Sequence, residues 1–268
     1  MRAAAVSGQS HVELNEVVRN YEGPPAVHAL GPIDLAVGRG EFFSVVGPSG
    51  CGKSTLLDLV CGLARPTSGT VRFEGRQLRA EVPDGVGVVF QEDSSMPWLT
   101  VRQNVGFGLR TCPLPRKEIA ERIDHAVSFM GLAQFADHYP AQLSGGMRQR
   151  VCIARTLVLR PRLILLDEPF GALDQQTRLL MGDELLRLWR ETGATVLLIT
   201  HALDEAAMLS DRVGVMSARP GRFIDMVETG WPRHRDSRMV SDPKFGSLTA
   251  RLWSSLREES LKTMGRAA

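Results

Sequence analysis

The stretch GPSGCGKS, Gly47 to Ser54, decides the fold. It fits the pattern Gly, four arbitrary residues, Gly-Lys, then Ser or Thr at every position. Phe42 to Val46 before it is a short apolar run ending at glycine, as a buried parallel strand does, and a helical stretch follows from Lys53 to about Leu63. A loop between strand and helix in this pattern is a cradle for phosphate. Glycines let the backbone approach oxygen atoms closely, and successive N–H groups form an anion nest. The helix start favours negative charge. Gly47, Pro48, Ser49, Gly50, Cys51 and Gly52 are the predicted cradle. Lys53 supplies a point charge for the outer phosphates, Ser54 a hydroxyl for Mg²⁺, and Thr55 a further donor.

A Mg-nucleotide site needs a carboxylate at the end of another buried strand. RLILLDEP provides Leu163 to Leu166 and then Asp167 and Glu168. Neighbours on a strand point to opposite faces, but at its end the chain can turn the second carboxylate inward. Asp167 is therefore expected in the Mg²⁺ shell, through water, and Glu168 as the general base toward attacking water. Gln91 closes the apolar run GVGVVF, and its amide suits both metal coordination and sensing of that water. His201 follows the strand VLLIT. Ligands of open α/β sheets sit at the carboxyl ends of the strands, so His201 is expected at the terminal phosphate.

The rest of the chain is consistent with such a core. Its 268 residues are 43% hydrophobic and 23% charged, with a net charge of +2. That balance gives no nucleic-acid footprint. Cys51, Cys61, Cys112 and Cys152 are scattered without a CxxC pair, and the histidines show no ligand spacing, so disulfides and a Cys/His metal site are not expected. No apolar run approaches the roughly 20 residues that span a bilayer. MRAAAVSGQSHVELNE turns polar too early for a signal peptide. The expected place is the cytosol, with another protein holding the chain at any membrane.

Strands alternate with helices: VELNEVVRNY, GPIDLAV and GEFFSVVG, then TVRFEG and GVGVVF, and later ATVLLITH and RVGVMSA. PRKEIAERIDHAVSFMGLAQFA, residues 115–136, carries Ile119, Ile123, Val127 and Met130 at helical spacing, and the segment reads as mainly helical through Leu157. QQTRLLMGDELLRLWRETG is an amphipathic helix closed by Gly193. Asp242-Pro243 is a helix start, with Phe245, Leu248, Leu252 and Leu256 on one apolar face. The predicted class is α/β, a P-loop NTPase core with a mixed sheet flanked by helices and an inserted helical subdomain. The expected organisation is a discontinuous core, 10–91 and 158–225, a helical subdomain 92–157, and a C-terminal tail 226–268 with an amphipathic helix. From Trp231 to Ala268 the tail has eight Lys/Arg and four Asp/Glu, a net of +4, and reads as a helix with a solvated face packed on its own domain.

LSGGMRQR, Leu143 to Arg150, is a second Ser-Gly-Gly helix start and so a second anion cup, about ninety residues beyond the first. The ordered set GPSGCGKST, Gln91, LSGGM, LILLDE, ALD (Ala172 to Asp174) and His201 resembles the ATP-binding cassette ATPases over nearly the whole chain. Met147 stands where that family's signature usually has glutamine. The resemblance implies ATP and Mg²⁺ as ligands and a head-to-tail pair of cassettes. Each ATP then lies between one P-loop and the partner's Ser144, Gly145 and Gly146, with Asp174 at the same interface. Tyr21 fits the aromatic that stacks on adenine.

QEDSSMPWLTVRQNVGFGL, Gln91 to Leu109, is similar to the nitrate, sulfonate and taurine importers through Pro97, Trp98, Val101, Asn104 and Val105. SARPGRF (Ser217 to Phe223), PRHRD and DPKF match the same subfamily, whereas Met96 and Ala202 depart from it, Ala202 standing where many relatives carry Asp. In these importers the segment after the glutamine receives a helix from the membrane subunit, so Trp98 is a candidate partner contact, its alternative being a core residue. The resemblance implies two membrane-spanning permease subunits, a separate solute-binding protein, and a peripheral place on the cytoplasmic side of the membrane. The rival reading is a soluble signature-motif ATPase not coupled to transport. Such ATPases of DNA repair insert long coiled coils between P-loop and signature, and no sustained heptads occur here.

Overall fold

The computed structural model describes residues 10–91, 94–171 and 173–265. Glu92, Asp93 and Ala172, and most of the first sixteen residues read for a leader, lie outside them. The strands are β1 (Ser10–Tyr21), β2 (Val27–Gly38), β3 (Phe42–Val46), β4 (Ser68–Phe73), β5 (Arg76–Gln77), β6 (Val86–Val89), β7 (Leu163–Asp167), β8 (Thr195–Ile199), β9 (Arg212–Met216) and β10 (Phe223–Glu228). The helices are α1 (Lys53–Val60), α2 (Val101–Val105), α3 (Arg116–Phe129), α4 (Gly145–Leu157), α5 (Gln175–Thr192), α6 (Leu203–Leu209) and α7 (Pro243–Gly265).

Two sheets divide the strands. One has the order β10-β9-β3-β8-β7-β6 and the other β2-β1-β4-β5. In the first, β9, β3, β8, β7 and β6 run parallel, and β10 is antiparallel at the edge. Parallel strands are buried on both faces, which is why β3, β7 and β8 are unbroken apolar runs apart from Ser44, Asp167 and Thr195. Alternation along these strands builds two cores. Phe43, Val45, Leu163, Leu165, Leu197 and Ile199 pack with α1 and the antiparallel sheet. Phe42, Val46, Ile164, Leu166, Val196 and Leu198 pack with helices of the opposite layer. There Trp189, 1% exposed, meets Phe42 edge-on at 5.7 Å and donates its indole N–H to the Gly40 carbonyl at 3.1 Å.

Several boundaries differ from expectation. The helix after the P-loop ends at Val60, with Gly62 at φ 80 and a Cβ there only 2.2 Å from the Glu81 carbonyl oxygen. The helix expected over 115–136 ends at Phe129. Gly131 takes a left-handed φ of 65, and short 3₁₀ turns at Ala133–Phe135 and Pro140–Gln142 lead to α4. The antiparallel sheet as a separate layer was not legible, because strand pairing is non-local. Gly193 closes α5 at φ 63. Phe245, Leu248, Leu252 and Leu256 are buried, and α7 packs on α6 and β9. β10 runs across the position expected as the start of the tail.

Candidate nucleotide site

β3, β6, β7 and β8 end on the same side of the sheet because they are parallel, and four loops converge there. After β3 the cradle turns through Gly50 at φ 71 and Gly52 at φ 109. At Gly52 a side chain is doubly excluded, since its Cβ would lie 2.6 Å from Leu30 Cδ2. Lys53, 8% exposed, is the first residue of α1, and its Nζ donates to the carbonyls of Gly47 at 2.8 Å and Pro48 at 3.1 Å. The ammonium is thereby held over the loop it is expected to serve.

Asp167 ends β7, mostly buried. Burial pushes its carboxyl above the usual carboxylate range, as do the charges of Glu168 and Asp58, while the Ser54 hydroxyl and the Lys53 ammonium pull the other way. Glu168 sits at φ 46, a left-handed conformation that costs a non-glycine residue on the order of 1–3 kcal/mol. That conformation turns the second carboxylate away from strand alternation and into the cleft. Its Oε2 accepts from Gln91 Nε2 at 3.2 Å and lies 3.0 Å from His201 Nδ1. Both contacts fall on one oxygen, so Oε1 takes neither. Gln91, Glu168 and His201 reach one point from the ends of three different strands.

The turn carrying His201 is fixed from below. Thr200 Oγ1 accepts from the Ala202 N–H at 3.0 Å and donates to Glu205 Oε2 at 2.9 Å. Glu205, on α6, is 5% exposed, and its Oε1 has no hydrogen-bond partner. Burial pushes its carboxyl up to about 7 against the opposing Thr200 hydrogen bond and Arg178 charge. No motif or spacing singled out Glu205. Its signal is a carboxylate four positions beyond the strand-end His, in the first turn of α6.

A cleft of about 650 Å³ runs from Tyr21, Val27 and Ala29 past the cradle to Gln91, Glu168 and His201. Tyr21 is 38% exposed, its hydroxyl is 3.4 Å from Thr55 Oγ1, and the Arg19 guanidinium lies 4.6 Å from its ring centre. A cation on one ring face leaves the other for a planar base. Arg219 also lines the cleft and was missed as a site residue, although SARPGRF drew attention to its segment.

The second cup lies elsewhere. Ser144 caps α4, its hydroxyl accepting from the Met147 N–H at 3.3 Å, which leaves the O–H free to donate outward. Ser144 and Gly145 are exposed, and a Cβ on Gly146 would meet Leu173 Cδ2 at 2.8 Å, so the cup abuts the residue before Asp174. Asp174 is exposed and caps α5 through Thr177, whose hydroxyl and N–H hold its carboxyl below the usual range. None of these four residues lines the P-loop cleft.

Trp98 is 71% exposed, which excludes the core alternative within this chain. Its loop is tied by Asn104, 0% exposed, whose Nδ2 is 2.9–3.1 Å from the carbonyls of Met96, Leu99 and Thr100 and whose Oδ1 accepts from the Met96 N–H at 2.8 Å. Among the described residues no helix is long and apolar enough to cross a membrane, and no cluster of His, Cys, Asp or Glu has the makings of a protein-only metal site.

This cradle, a carboxylate at the end of β7, one strand removed from β3 in the same sheet, and the polar cluster of Gln91, Glu168 and His201 define a P-loop nucleotide hydrolase. A family model described as ABC transporter matches residues 30–171. An uncharacterized ABC transporter ATP-binding protein of Methanocaldococcus jannaschii is 45% identical over 89% of this chain and 88% of its own length. A nitrate import ATP-binding protein of Synechocystis is 41% identical over 92% and 95%. A dimeric ATP-binding cassette, solved in a post-hydrolysis state with ADP and Pi, superposes with a TM-score of 0.73 at 32% identity, covering 82% of this chain and all of that one. The chain belongs to the ABC transporter family and is an ATPase.

Proposed function

We propose that this ATPase energises an importer for a small anion such as nitrate, taurine or an aliphatic sulfonate. It does so as a head-to-tail pair on the cytoplasmic face of the membrane, peripheral to two permease subunits fed by a solute-binding protein. The observation that carries this reading is the separation of two phosphate cups. The P-loop cleft holds Gln91, Glu168 and His201 but none of Ser144, Gly145, Gly146 or Asp174, which lie outside it, Gly146 half-buried and the other three exposed. A single protomer therefore presents half of each of two sites. The similarity to a nitrate import protein supports the anion class.

The donor set fits Mg²⁺. Ser54, the buried Asp167 and the Gln91 amide oxygen are hard oxygen donors, and the upward push on the Asp167 carboxyl is what a nearby divalent cation relieves. When bound, Mg²⁺ neutralises charge on the phosphates. In the proposed cycle the cradle and Lys53 hold the phosphates of ATP, with Tyr21 on the adenine. Glu168 takes a proton from the attacking water. Gln91 and His201 orient that carboxylate, and His201 meets the terminal phosphate. Ser144, Gly145 and Gly146 of the second copy close over it, with Asp174 between the two sites. ATP thus favours the closed pair and hydrolysis releases it, a two-state element biased by differential affinity. Trp98 supplies an exposed aromatic anchor for the permease.

The test is a pair of variants. Glu168→Gln is expected to lower turnover by about 10²-fold or more while ATP-dependent dimerisation persists. Ser144→Arg is expected to keep single-chain nucleotide binding and abolish turnover. Wild-type hydrolysis by the first removes Glu168 as the base, and by the second removes the head-to-tail pair.

A further inference from the structure

The hairpin between β9 and β10 touches both the phosphate loop and the last helix. Arg219, exposed at its tip, donates from Nε at 3.1 Å and Nη2 at 2.9 Å to one acceptor, the Gly50 carbonyl. Beside it Gly221 lies so close to the loop that a Cβ there would fall 2.2 Å from the Cys51 carbonyl oxygen. On its other side the hairpin is seated by α7. The Ala218 N–H donates to Glu259 Oε2 at 2.7 Å, and Glu259 is 8% exposed and paired with Lys262. A continuous path thus runs from a buried carboxylate of the C-terminal helix, through two adjacent hairpin residues, to a peptide of the phosphate cradle.

We propose that this hairpin is a brace through which α7 positions the phosphate loop, with Arg219 as the positioning residue for the Gly50–Cys51 peptide and Glu259 as its anchor. The physical reason lies in that peptide. Gly50 is left-handed, a conformation with many neighbouring alternatives for glycine, and among the described residues the only backbone bond closing its turn is the Cys51 N–H to the Pro48 carbonyl at 3.3 Å. Two guanidinium N–H groups on the Gly50 oxygen fix the plane of the peptide. They keep the following N–H groups, from Gly52 into α1, aimed at the phosphates. A guanidinium is suited to this because its donors form a rigid fork. Its charge also lies beside the anion nest.

The proposal rests on the reading of Gly47–Thr55 as the nucleotide cradle, and Lys53→Ala tests that reading separately. The experiment measures Mg·ATP affinity of the full chain, with KM and kcat. Arg219→Ala is expected to weaken binding by about tenfold, the effect of losing a doubled charge-assisted hydrogen bond at a screened position, and to raise KM by more than it lowers kcat. Arg219→Lys, which keeps the charge without the fork, recovers part of the loss. Glu259→Ala weakens binding by about threefold, and the double variant is no weaker than Arg219→Ala alone, because both act through one path. Affinity of Arg219→Ala within twofold of wild type overturns the positioning role, and additive losses overturn transmission from α7. If Arg219→Ala is insoluble, Arg219→Gln carries the same comparisons. Wild-type binding by Lys53→Ala instead overturns the cradle itself.

Discussion

Glu205→Gln is expected to change how the stability of this protein depends on pH. The carboxyl is buried, accepts one hydrogen bond from Thr200 and has an unpartnered Oε1, and burial lifts it from an ordinary 4.5 to about 7. Because the raised group is an acid, the folded state holds its proton to higher pH than the unfolded chain does. Between about 4.5 and about 7 the native state therefore binds more protons, and stability falls as pH rises through that window. The ceiling on the loss is about 3 kcal/mol. The groups that face Glu205 set how much of it is realised: Arg178 on α5 favours the ionised form and Glu168 disfavours it. Glutamine keeps an oxygen for Thr200 and cannot ionise, so the variant should lack this slope. The assay is urea unfolding of both proteins at pH 5, 6, 7 and 8, followed by tryptophan fluorescence. Wild type should lose stability relative to the variant by about 2 kcal/mol between the extremes. Parallel profiles would refute the reasoning and show that Glu205 is already ionised at pH 5 or solvated on opening.

Two further outcomes concern the exposed loop. Trp98→Ala should leave thermal stability within about 0.5 kcal/mol, since the ring is 71% exposed. It should reduce recovery of the chain with permease-containing membranes, and unchanged recovery removes Trp98 as an anchor. Asn104→Ala should lower unfolding stability by about 2 kcal/mol, because it strips partners from several half-buried backbone groups at once, and a loss below about 0.5 kcal/mol would mean that the loop relaxes freely.

The sequence alone determined the chemistry of the cradle. GPSGCGKS after an apolar strand dictates both its backbone and its charge, since close approach to phosphate requires glycine at those positions and the pattern is local. Periodicity likewise marked α5 and the buried face of α7, because a 3.6-residue repeat is written within a single segment. It also placed Asp167, Glu168 and His201 at strand ends. Only the tertiary structure decided what those ends share. Gln91, Glu168 and His201 lie far apart along the chain, and they meet because β6, β7 and β8 are adjacent and parallel. The left-handed Glu168 that completes the meeting is imposed by its surroundings, since no local preference favours that conformation in glutamate. For the same reason Glu205 and Arg219 escaped the sequence reading. Each acts through a contact with a residue whose proximity is set by packing, Thr200 beneath the His201 turn and Gly50 across the hairpin. A motif encodes what a backbone segment does by itself, whereas the partners of a lone Glu or Arg are fixed only when sheets and helices close around it.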